Sequence, residues 1–251
     1  MSRRFADLIE EAATVPVDGW DFGWLAGRAT ERRPSWGYAR AMAARMALAD
    51  TAADIDTGGG EVLAEAERLP RRVVATESWR PNLTLAQARL GPRGVHVVAA
   101  EADRLPLTSA RFDLVVSRHP VQARWPEIAR ILTPGGRYFS QEVGPASVFE
   151  LSEYFLGPQP EEVRNARHPD AAREAARAAG LRVVDLRSER LRMEFFDIGA
   201  VVYFLRKVVW IVPGFSVERF APELEALHRQ IEADGCFVAH SSRFLIEAVK
   251  P

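Results

Sequence analysis

Three consecutive glycines lie in the segment Ala53-Asp54-Ile55-Asp56-Thr57-Gly58-Gly59-Gly60-Glu61-Val62-Leu63. A short apolar stretch leads into them, and apolar residues at helical spacing follow at once. This order of strand, tight turn and helix is typical of open α/β sheets that hold nucleotide-like cofactors. Glycine at Gly58 and Gly60 permits backbone angles that a Cβ would forbid, and the amides that open the helix then face the ligand. An ordinary tight turn is the alternative, and the sequence downstream decides between the two.

Outward from this turn, short apolar segments alternate with amphipathic helical patterns, as parallel βαβ units require. The predicted strands are 52–56, 72–76, 95–99, 113–117 and 137–143. The predicted helices between them are 62–68, 81–90 and 126–132, and Pro134-Gly135-Gly136 is expected to end the last one. Further helices follow, with closing strands at 181–186 and 236–249, the latter bent at Ser241-Ser242. Right-handed crossovers then place helices on both faces of a parallel sheet.

The composition is that of an ordinary α/β protein. The chain has 251 residues, of which 47% are hydrophobic, and a formal net charge of −1. It can therefore bury a full core, and no global field draws it to nucleic acid or to an anionic membrane. The single cysteine, Cys236, excludes an internal disulfide and a cysteine-rich metal site. The amino terminus lacks the apolar core of a secretory signal, so we expect a cytoplasmic protein.

Three further signals follow, each near the C-terminal end of a predicted strand, where open α/β sheets bind ligands. Glu77 ends the second strand, where a carboxylate can accept hydrogen bonds from both hydroxyls of a ribose; an exposed strand-end acid is the alternative. Glu101 follows the third strand and can accept from an exocyclic amine, while Ala102 offers its amide to the same base. The last signal is Arg130-Ile131-Leu132-Thr133-Pro134-Gly135-Gly136, between a helix and the fifth strand.

In these four signals the chain resembles the class I S-adenosylmethionine-dependent methyltransferases, closest to the small-molecule branch with ubiquinone- and menaquinone-biosynthesis enzymes. The family's acid-apolar-Gly-any-Gly-any-Gly turn is matched over 54–60, and the resemblance extends to residue 143. It implies an α/β, Rossmann-like fold: a mostly parallel seven-stranded sheet with helices on both faces and a helical, aromatic cap. It also implies S-adenosylmethionine as cofactor. The residues that would hold it are Asp54, Asp56, Gly58, Gly60, Glu77, Glu101 and Ala102.

One position departs from the family's turn. Asp56 stands where the family has its first glycine, beneath the methionine portion of the cofactor. A carboxylate there could bind the α-ammonium group, or it could crowd the site. A nicotinamide dinucleotide is the rival cofactor, but Glu61 directly follows Gly60 and would repel a diphosphate. A sulfonium tolerates nearby acids, so the methyl donor is the better match.

The chain is expected to form a single methyltransferase domain over residues 1–251. It would comprise an N-terminal helical cap at 1–50, a cofactor-binding core at 51–144, and acceptor-side helices with the final strands at 145–251. The most apolar segment, Ile198–Val212, contains Arg206 and Lys207 and ends too early at Pro213 to span a membrane. It is predicted as a helix of the core or of a homodimer interface.

The acceptor side is predicted from residues outside the glycine turn. His119 ends the fourth strand and could serve as a base for a phenol or enol; a loop histidine that shapes the site is an equal alternative. Arg118 could orient an anionic acceptor or pair with a surface acid. Aromatic side chains suit a flat apolar acceptor, although a packed cap is an alternative. Those chosen are Trp20, Phe149 and Tyr154 for the acceptor, and Trp36 and Tyr38 for the cofactor.

The sequence therefore predicts methyl transfer from S-adenosylmethionine to an O, N or C atom of a small organic molecule. No His, Asp or Glu cluster has metal-ligand spacing, so no metal is expected. The near-neutral charge and the lack of an Asn-Pro-Pro-aromatic motif argue against nucleic acid as the substrate. Two alternatives stay open: a protein that binds the cofactor or its product without transferring methyl, and an RNA methyltransferase.

Overall fold

The computed structural model describes residues 3–17, 19–101 and 104–251. Strands within this part of the chain are β1 (Ala29–Glu31), β2 (Thr51–Ile55), β3 (Arg72–Glu77), β4 (Val95–Ala99), β5 (Phe112–Arg118), β6 (Leu132–Val143), β7 (Arg182–Phe195) and β8 (Phe237–Val249). The α-helices are α1 (Phe5–Thr14), α2 (Tyr38–Met46), α3 (Glu61–Ala64), α4 (Arg80–Leu90), α5 (Trp125–Ile131), α6 (Phe149–Leu156), α7 (Glu161–Arg164), α8 (Pro169–Ala178), α9 (Ile198–Lys207) and α10 (Ala221–Asp234).

The chain divides into two compact units. Unit 1 comprises Met1–Arg33, Pro145–Ala166 and Arg190–Ser242, and unit 2 comprises Pro34–Gly144, Arg167–Glu189 and Arg243–Pro251. The cofactor motifs all fall in unit 2. The single domain expected from the sequence stays a prediction.

The sheet has eight strands among the described residues, in the order β1-β7-β8-β6-β5-β2-β3-β4. β2, β3, β4, β5 and β6 pair in parallel, and β8 pairs antiparallel with β6. The predicted α/β class and mostly parallel sheet are confirmed, but the predicted number of seven strands is wrong. The missed strand is β1, whose three residues pair antiparallel with the end of β7 at Phe195. A strand this short has no alternation of apolar and polar residues by which a sequence could reveal it.

Unit 2 buries one hydrophobic cluster on each face of its sheet. Because side chains alternate along a strand, Leu114 and Val116 of β5 join the cluster that contains Tyr38, whereas Val115 joins the one that contains Trp125. The helix that opens at Tyr38 and the helix that opens at Trp125 thus cover opposite faces. Because helices cover both faces of the sheet, the parallel strands are nearly continuous runs of apolar residues.

Unit 1 is built around α9, which is buried over almost its whole length. Asp197 caps the helix by accepting the amide of Ala200 at 2.8 Å. A Cβ on Gly199 would lie 3.0 Å from the carbonyl oxygen of Leu8, so α1 and α9 pack backbone against backbone there. The helix expected to reach Val212 ends at Lys207 instead. No α-helix in the described part of the chain has the length and hydrophobicity needed to cross a membrane.

One expectation about the start of β6 needs correction, and one about β8 stays a prediction. Pro134-Gly135-Gly136 does not end the helix directly, since α5 stops at Ile131 and the three residues lie within an irregular start of β6. A Cβ on Gly136 would lie 2.9 Å from the carbonyl oxygen of Thr133, which explains the glycine by close approach. β8 is continuous through Ser241-Ser242, where the sequence predicts a bend; the bend itself stays a prediction.

Candidate functional site

The glycine turn between β2 and α3 needs glycine for two separate reasons. Gly58 and Gly60 have φ of 62° and 78°, in the left-handed region that L-residues with a Cβ avoid. A Cβ on Gly60 would also lie 2.7 Å from Leu90 Cδ1 on α4. The turn is therefore pressed against a buried leucine and leaves no room for a side chain at Gly60.

Asp56, the departure from the family's turn, adopts a glycine-like backbone. Its φ is 55°, a left-handed conformation that aspartate tolerates better than most residues with a side chain. The turn thus keeps its path even though the family's first glycine is missing. What Asp56 adds is a carboxylate at the end of β2, half-buried and within electrostatic reach of Glu77, Glu101 and Arg124.

The carboxyl ends of β2 and β3 are crowded with acids. Asp54 is buried, and its Oδ2 accepts the Thr57 hydroxyl at 2.6 Å. Burial raises the pKa of Asp54 to about 7, and the charges of Asp56 and Glu77 act in the same direction. Burial, together with Glu77 and Glu101, raises the pKa of Asp56 to about 6. Several acids sharing one place with little compensating positive charge favour a cationic ligand.

Glu77 ends β3 as the sequence predicted, and it is buried. Its Oε1 accepts the backbone amide of Trp79 at 2.8 Å, which fixes the carboxylate relative to the start of α4. The indole of Trp79 is 47% exposed, so an aromatic face lies two residues beyond the acid. Sequence reasoning missed Trp79, although a tryptophan two residues after a strand-end acid indicates a candidate ligand contact.

The adenine-side prediction is only partly covered by the structure. Glu101 is exposed just beyond β4 and acts electrostatically on Asp56. Ala102 lies outside the described residues. Their roles in binding the base stay predictions.

Arg130 connects the Arg130–Gly136 motif to the loop that follows β4. Its guanidinium donates to the carbonyl oxygens of Leu105 and Leu107 at 3.1 and 2.7 Å and pairs with Glu127 at 2.6 Å. Glu127 in turn accepts the amide of Leu105 at 3.0 Å. Arg130 therefore shapes the loop after β4. This geometry gives the Arg130–Gly136 motif a structural role.

The carboxyl ends of β5 and β6 form a second polar group around His119. The His119 amide donates to the Gln141 carbonyl oxygen at 2.7 Å, and φ of His119 is 57°. The Gln141 side-chain nitrogen lies 2.9 Å from His119 Nε2, and the Trp36 indole N–H donates to Gln141 Oε1 at 2.7 Å. Burial and the positive charges of Arg243 and Arg118 hold the pKa of His119 well below its ordinary value. This geometry favours the site-shaping alternative for His119; its role as base stays a prediction.

Trp36 and Tyr38 are mostly buried and hydrogen-bonded within unit 2. The Tyr38 hydroxyl donates to the Ser117 carbonyl oxygen at 2.8 Å, and its ring stacks on Phe139 at 5.2 Å. Their exposed fractions are 8% and 6%. The structure thus shows both as core residues whose polar atoms reach the ends of β5 and β6, and cofactor contact stays a prediction for both.

The proposed acceptor residues are divided between the units. Arg118 is exposed at the end of β5 in unit 2. Trp20, Phe149 and Tyr154 belong to unit 1. Within that unit, Trp20 is 41% exposed beside Trp210, and the Tyr154 hydroxyl donates to a backbone carbonyl of α10 at 3.1 Å. Acceptor binding by these residues stays a prediction.

Comparisons with known proteins agree with the motifs. A family model described as a methyltransferase domain matches residues 53–140. A malonyl-[acyl-carrier protein] O-methyltransferase from Marinomonas sp. is 29% identical over 170 residues, which cover 64% of this chain and 63% of that protein. The chain thus spans somewhat less than two thirds of this curated relative.

Solved structures with the same fold cover most of the chain. The YcgJ protein from Bacillus subtilis superposes with a TM-score of 0.62 at 16% identity, covering 85% of this chain and 97% of that one. Phosphoethanolamine N-methyltransferase 2 from Haemonchus contortus, in complex with S-adenosylmethionine, gives 0.51 at 19% identity, covering 86% and 53%. At these identities the likeness shows the fold.

The predicted family and cofactor are therefore confirmed. The turn over 54–60 and the acid at Glu77 lie at the ends of β2 and β3, two of the five strands that pair in parallel within the matched segment 53–140. The glycine turn and the acids around it fit a cofactor that carries a sulfonium and an ammonium group. Residues 53–140 match a methyltransferase domain, and the comparisons support the class I S-adenosylmethionine-dependent type that the sequence predicted.

Proposed function

We propose that the protein moves a methyl group from S-adenosylmethionine to a small organic acceptor, at an oxygen atom in preference to nitrogen or carbon. The observation that carries the proposal is the acid-lined glycine turn at the ends of β2 and β3. Asp54, Asp56 and Glu77 supply negative charge where a cationic methyl donor would lie. The preference for oxygen rests on the name of the Marinomonas relative, an O-methyltransferase.

Three acids at the ends of β2 and β3 have roles in this proposal. Glu77 accepts both ribose hydroxyls, while Asp54 and Asp56 face the amino-acid portion of the cofactor. The bound cofactor supplies a methyl group on sulfur, already attached to a good leaving group. The protein then has only to align this carbon with the acceptor atom and to exclude water.

The acceptor is proposed to carry an acidic group. The relative from Marinomonas acts, by its name, on a malonyl group attached to an acyl-carrier protein. Arg118 and Arg243 act on the end of β5, where a transferred methyl is expected to arrive. A small acid, free or attached to a carrier, matches this local positive charge.

A second candidate is a protein that binds S-adenosylmethionine or its product and does not transfer methyl. Asp56 favours it, because its carboxylate occupies a place where the family has glycine. The crowding is limited, since the backbone keeps the conformation that glycine would adopt there.

Two measurements separate these candidates. Calorimetric titration with S-adenosylmethionine is expected to show micromolar binding. Methyl-labelled cofactor should then label malonyl-acyl-carrier protein or a small dicarboxylic acid, but not total RNA. Binding with no transfer to any acceptor would favour the second candidate. Labelled RNA would favour a nucleic-acid substrate, and no binding by folded protein would overturn both candidates.

A further inference from the structure

Trp36, Gln141 and His119 form a hydrogen-bonded series with only one consistent direction. An indole N–H can only donate, so the Gln141 atom 2.7 Å from Trp36 Nε1 must be its carbonyl oxygen. The amide nitrogen of Gln141 then faces His119 Nε2 at 2.9 Å. This nitrogen can only donate, and His119 Nε2 must therefore accept.

An imidazole that accepts at Nε2 is neutral and carries its proton on Nδ1. The ring is also held through its backbone, because the His119 amide donates to the carbonyl oxygen of the same Gln141. Among the described residues, no hydrogen bond to Nδ1 is present. His119 is thus oriented as a hydrogen-bond donor, and its one basic atom is already used.

The charges around His119 are positive. Arg118 precedes it at the end of β5, and Arg243 acts on it from β8, where it lies in register with Val143 of β6. Two cations oppose the protonation of the imidazole and attract an anion. The uncharged Nδ1–H donor and the two guanidinium groups all favour an anionic ligand.

We propose that Trp36 and Gln141 hold His119 as a neutral Nδ1–H donor, and that His119, Arg118 and Arg243 bind a carboxylate of the acceptor whose own oxygen receives the methyl group. This inference rests on the proposed function and assigns its acceptor atom. His119 and the two arginines contact the substrate, whereas Trp36 and Gln141 are positioning residues.

The chemistry balances without a base. A carboxylate is ionised at neutral pH, so an oxygen lone pair forms the new bond to the methyl carbon. The bond from that carbon to sulfur breaks at the same time, and its electron pair stays on sulfur. No proton moves. A phenol or an ammonium group would first have to lose a proton, and His119 Nε2 is engaged with Gln141.

The tautomer is tested directly by ¹⁵N NMR of the histidine side chains, assigned to His119 by comparison with His119→Asn. We expect a protonated Nδ1 and an unprotonated Nε2 throughout pH 6 to 8. In Gln141→Leu the Nε2–H tautomer should appear. A protonated Nε2 in the wild type would overturn the inference, whether or not any acceptor has been found.

Kinetics at saturating cofactor separate a donor from a base. His119→Ala should raise the acceptor KM at least tenfold and change kcat less than threefold. Asparagine places an amide N–H near the position of Nδ1, so His119→Asn should recover most of the loss. Loss of kcat by a hundredfold or more in both variants would identify a base and overturn the inference.

A binding measurement distinguishes a failure of the carboxylate site from a failure of the proposed methyl transfer. Malonate, added to protein saturated with S-adenosylhomocysteine, should shift the His119 Nδ1–H resonance in the wild type, and Arg118→Gln should weaken its binding. Malonate binding in the absence of turnover would leave the carboxylate site standing while the transfer reaction fails. Absence of any malonate effect on His119 would overturn the site itself.

Discussion

Two neighbouring ends of the same sheet carry opposite charge. The ends of β2 and β3 gather Asp54, Asp56 and Glu77, whereas the end of β5 is flanked by Arg118 and Arg243. β2 and β5 are adjacent and parallel, so these groups follow neighbouring strands at one edge of the sheet. The acidic end suits a cationic methyl donor, and the basic end suits an anionic acceptor. In the proposed function, donor and acceptor would therefore lie at the ends of different strands.

The largest expected effect comes from filling the glycine turn. Gly60→Ala would force a Cβ into a left-handed backbone and against Leu90, for a combined cost of about 3 kcal/mol in the free energy of unfolding. Gly94→Ala is the matched control, since Gly94 has φ of 79° and nothing within 4 Å of its Cβ position. Chemical denaturation should show only about 1 kcal/mol there. Equal losses would mean that contact with Leu90 is unimportant.

Removal of the Glu77 carboxylate should weaken binding of the cofactor at the acidic end and leave binding of an anion at the basic end nearly unchanged. Glu77→Ala is expected to weaken S-adenosylmethionine binding by about 100-fold, because two hydrogen bonds to a charged acceptor are lost. Titration calorimetry measures this, with exposed Glu67→Ala as control. Malonate binding should change little. An affinity within threefold of the wild type would exclude the ribose contact.

The acidic end should also make cofactor binding depend on pH. The pKa values of Asp54 and Asp56, about 7 and about 6, mean that both carboxyls hold protons below these pH values. A cationic ligand favours the ionised forms, so affinity should rise by about tenfold between pH 5.5 and 8, since one pKa unit corresponds to about 1.4 kcal/mol.

The accompanying proton release is measurable by calorimetry in two buffers of different ionisation enthalpy. Protons should be released on binding at pH 6.5, and release should vanish near pH 8.5. Proton uptake at pH 6.5 would contradict the assignment of the acids to the cofactor.

The smallest effect is expected from restoring glycine at the departure from the family's turn. Asp56→Gly should stabilise the protein by about 1 kcal/mol at pH 8, because it relieves a left-handed backbone and removes a carboxylate beside Glu77. Ala110→Gly is the control for backbone relief alone, with φ of 49° and no charge. Stabilisation no larger than in the control would mean that repulsion between the acids is negligible.

The cofactor end could be predicted from sequence because its signals are local. Each strand end there carries its own motif, and Glu77 and the glycine turn are read within a few residues of an apolar run. Such segments fold as the sequence pattern predicts when both faces are buried. The strand at Val95–Ala99 has the predicted bounds.

The acceptor end could not be predicted in the same way. Trp36, His119 and Gln141 are far apart in sequence, and only the pairing of β5 with β6 and the position of α2 bring them together. β1 was missed for a related reason, since its pairing partner lies at Phe195. Contacts of this kind depend on topology and leave no periodic pattern in the chain.

The arginines at the end of β5 have a consequence for turnover. In the proposed reaction a carboxylate acceptor would arrive with a negative charge, whereas the methyl ester that departs would have none. A charge-assisted hydrogen bond contributes about 1.5–3 kcal/mol, so Arg118 and Arg243 would hold the reactant and release the ester. Product inhibition by the ester should accordingly be weak, and the charge lost in the reaction itself would open the way for the next molecule.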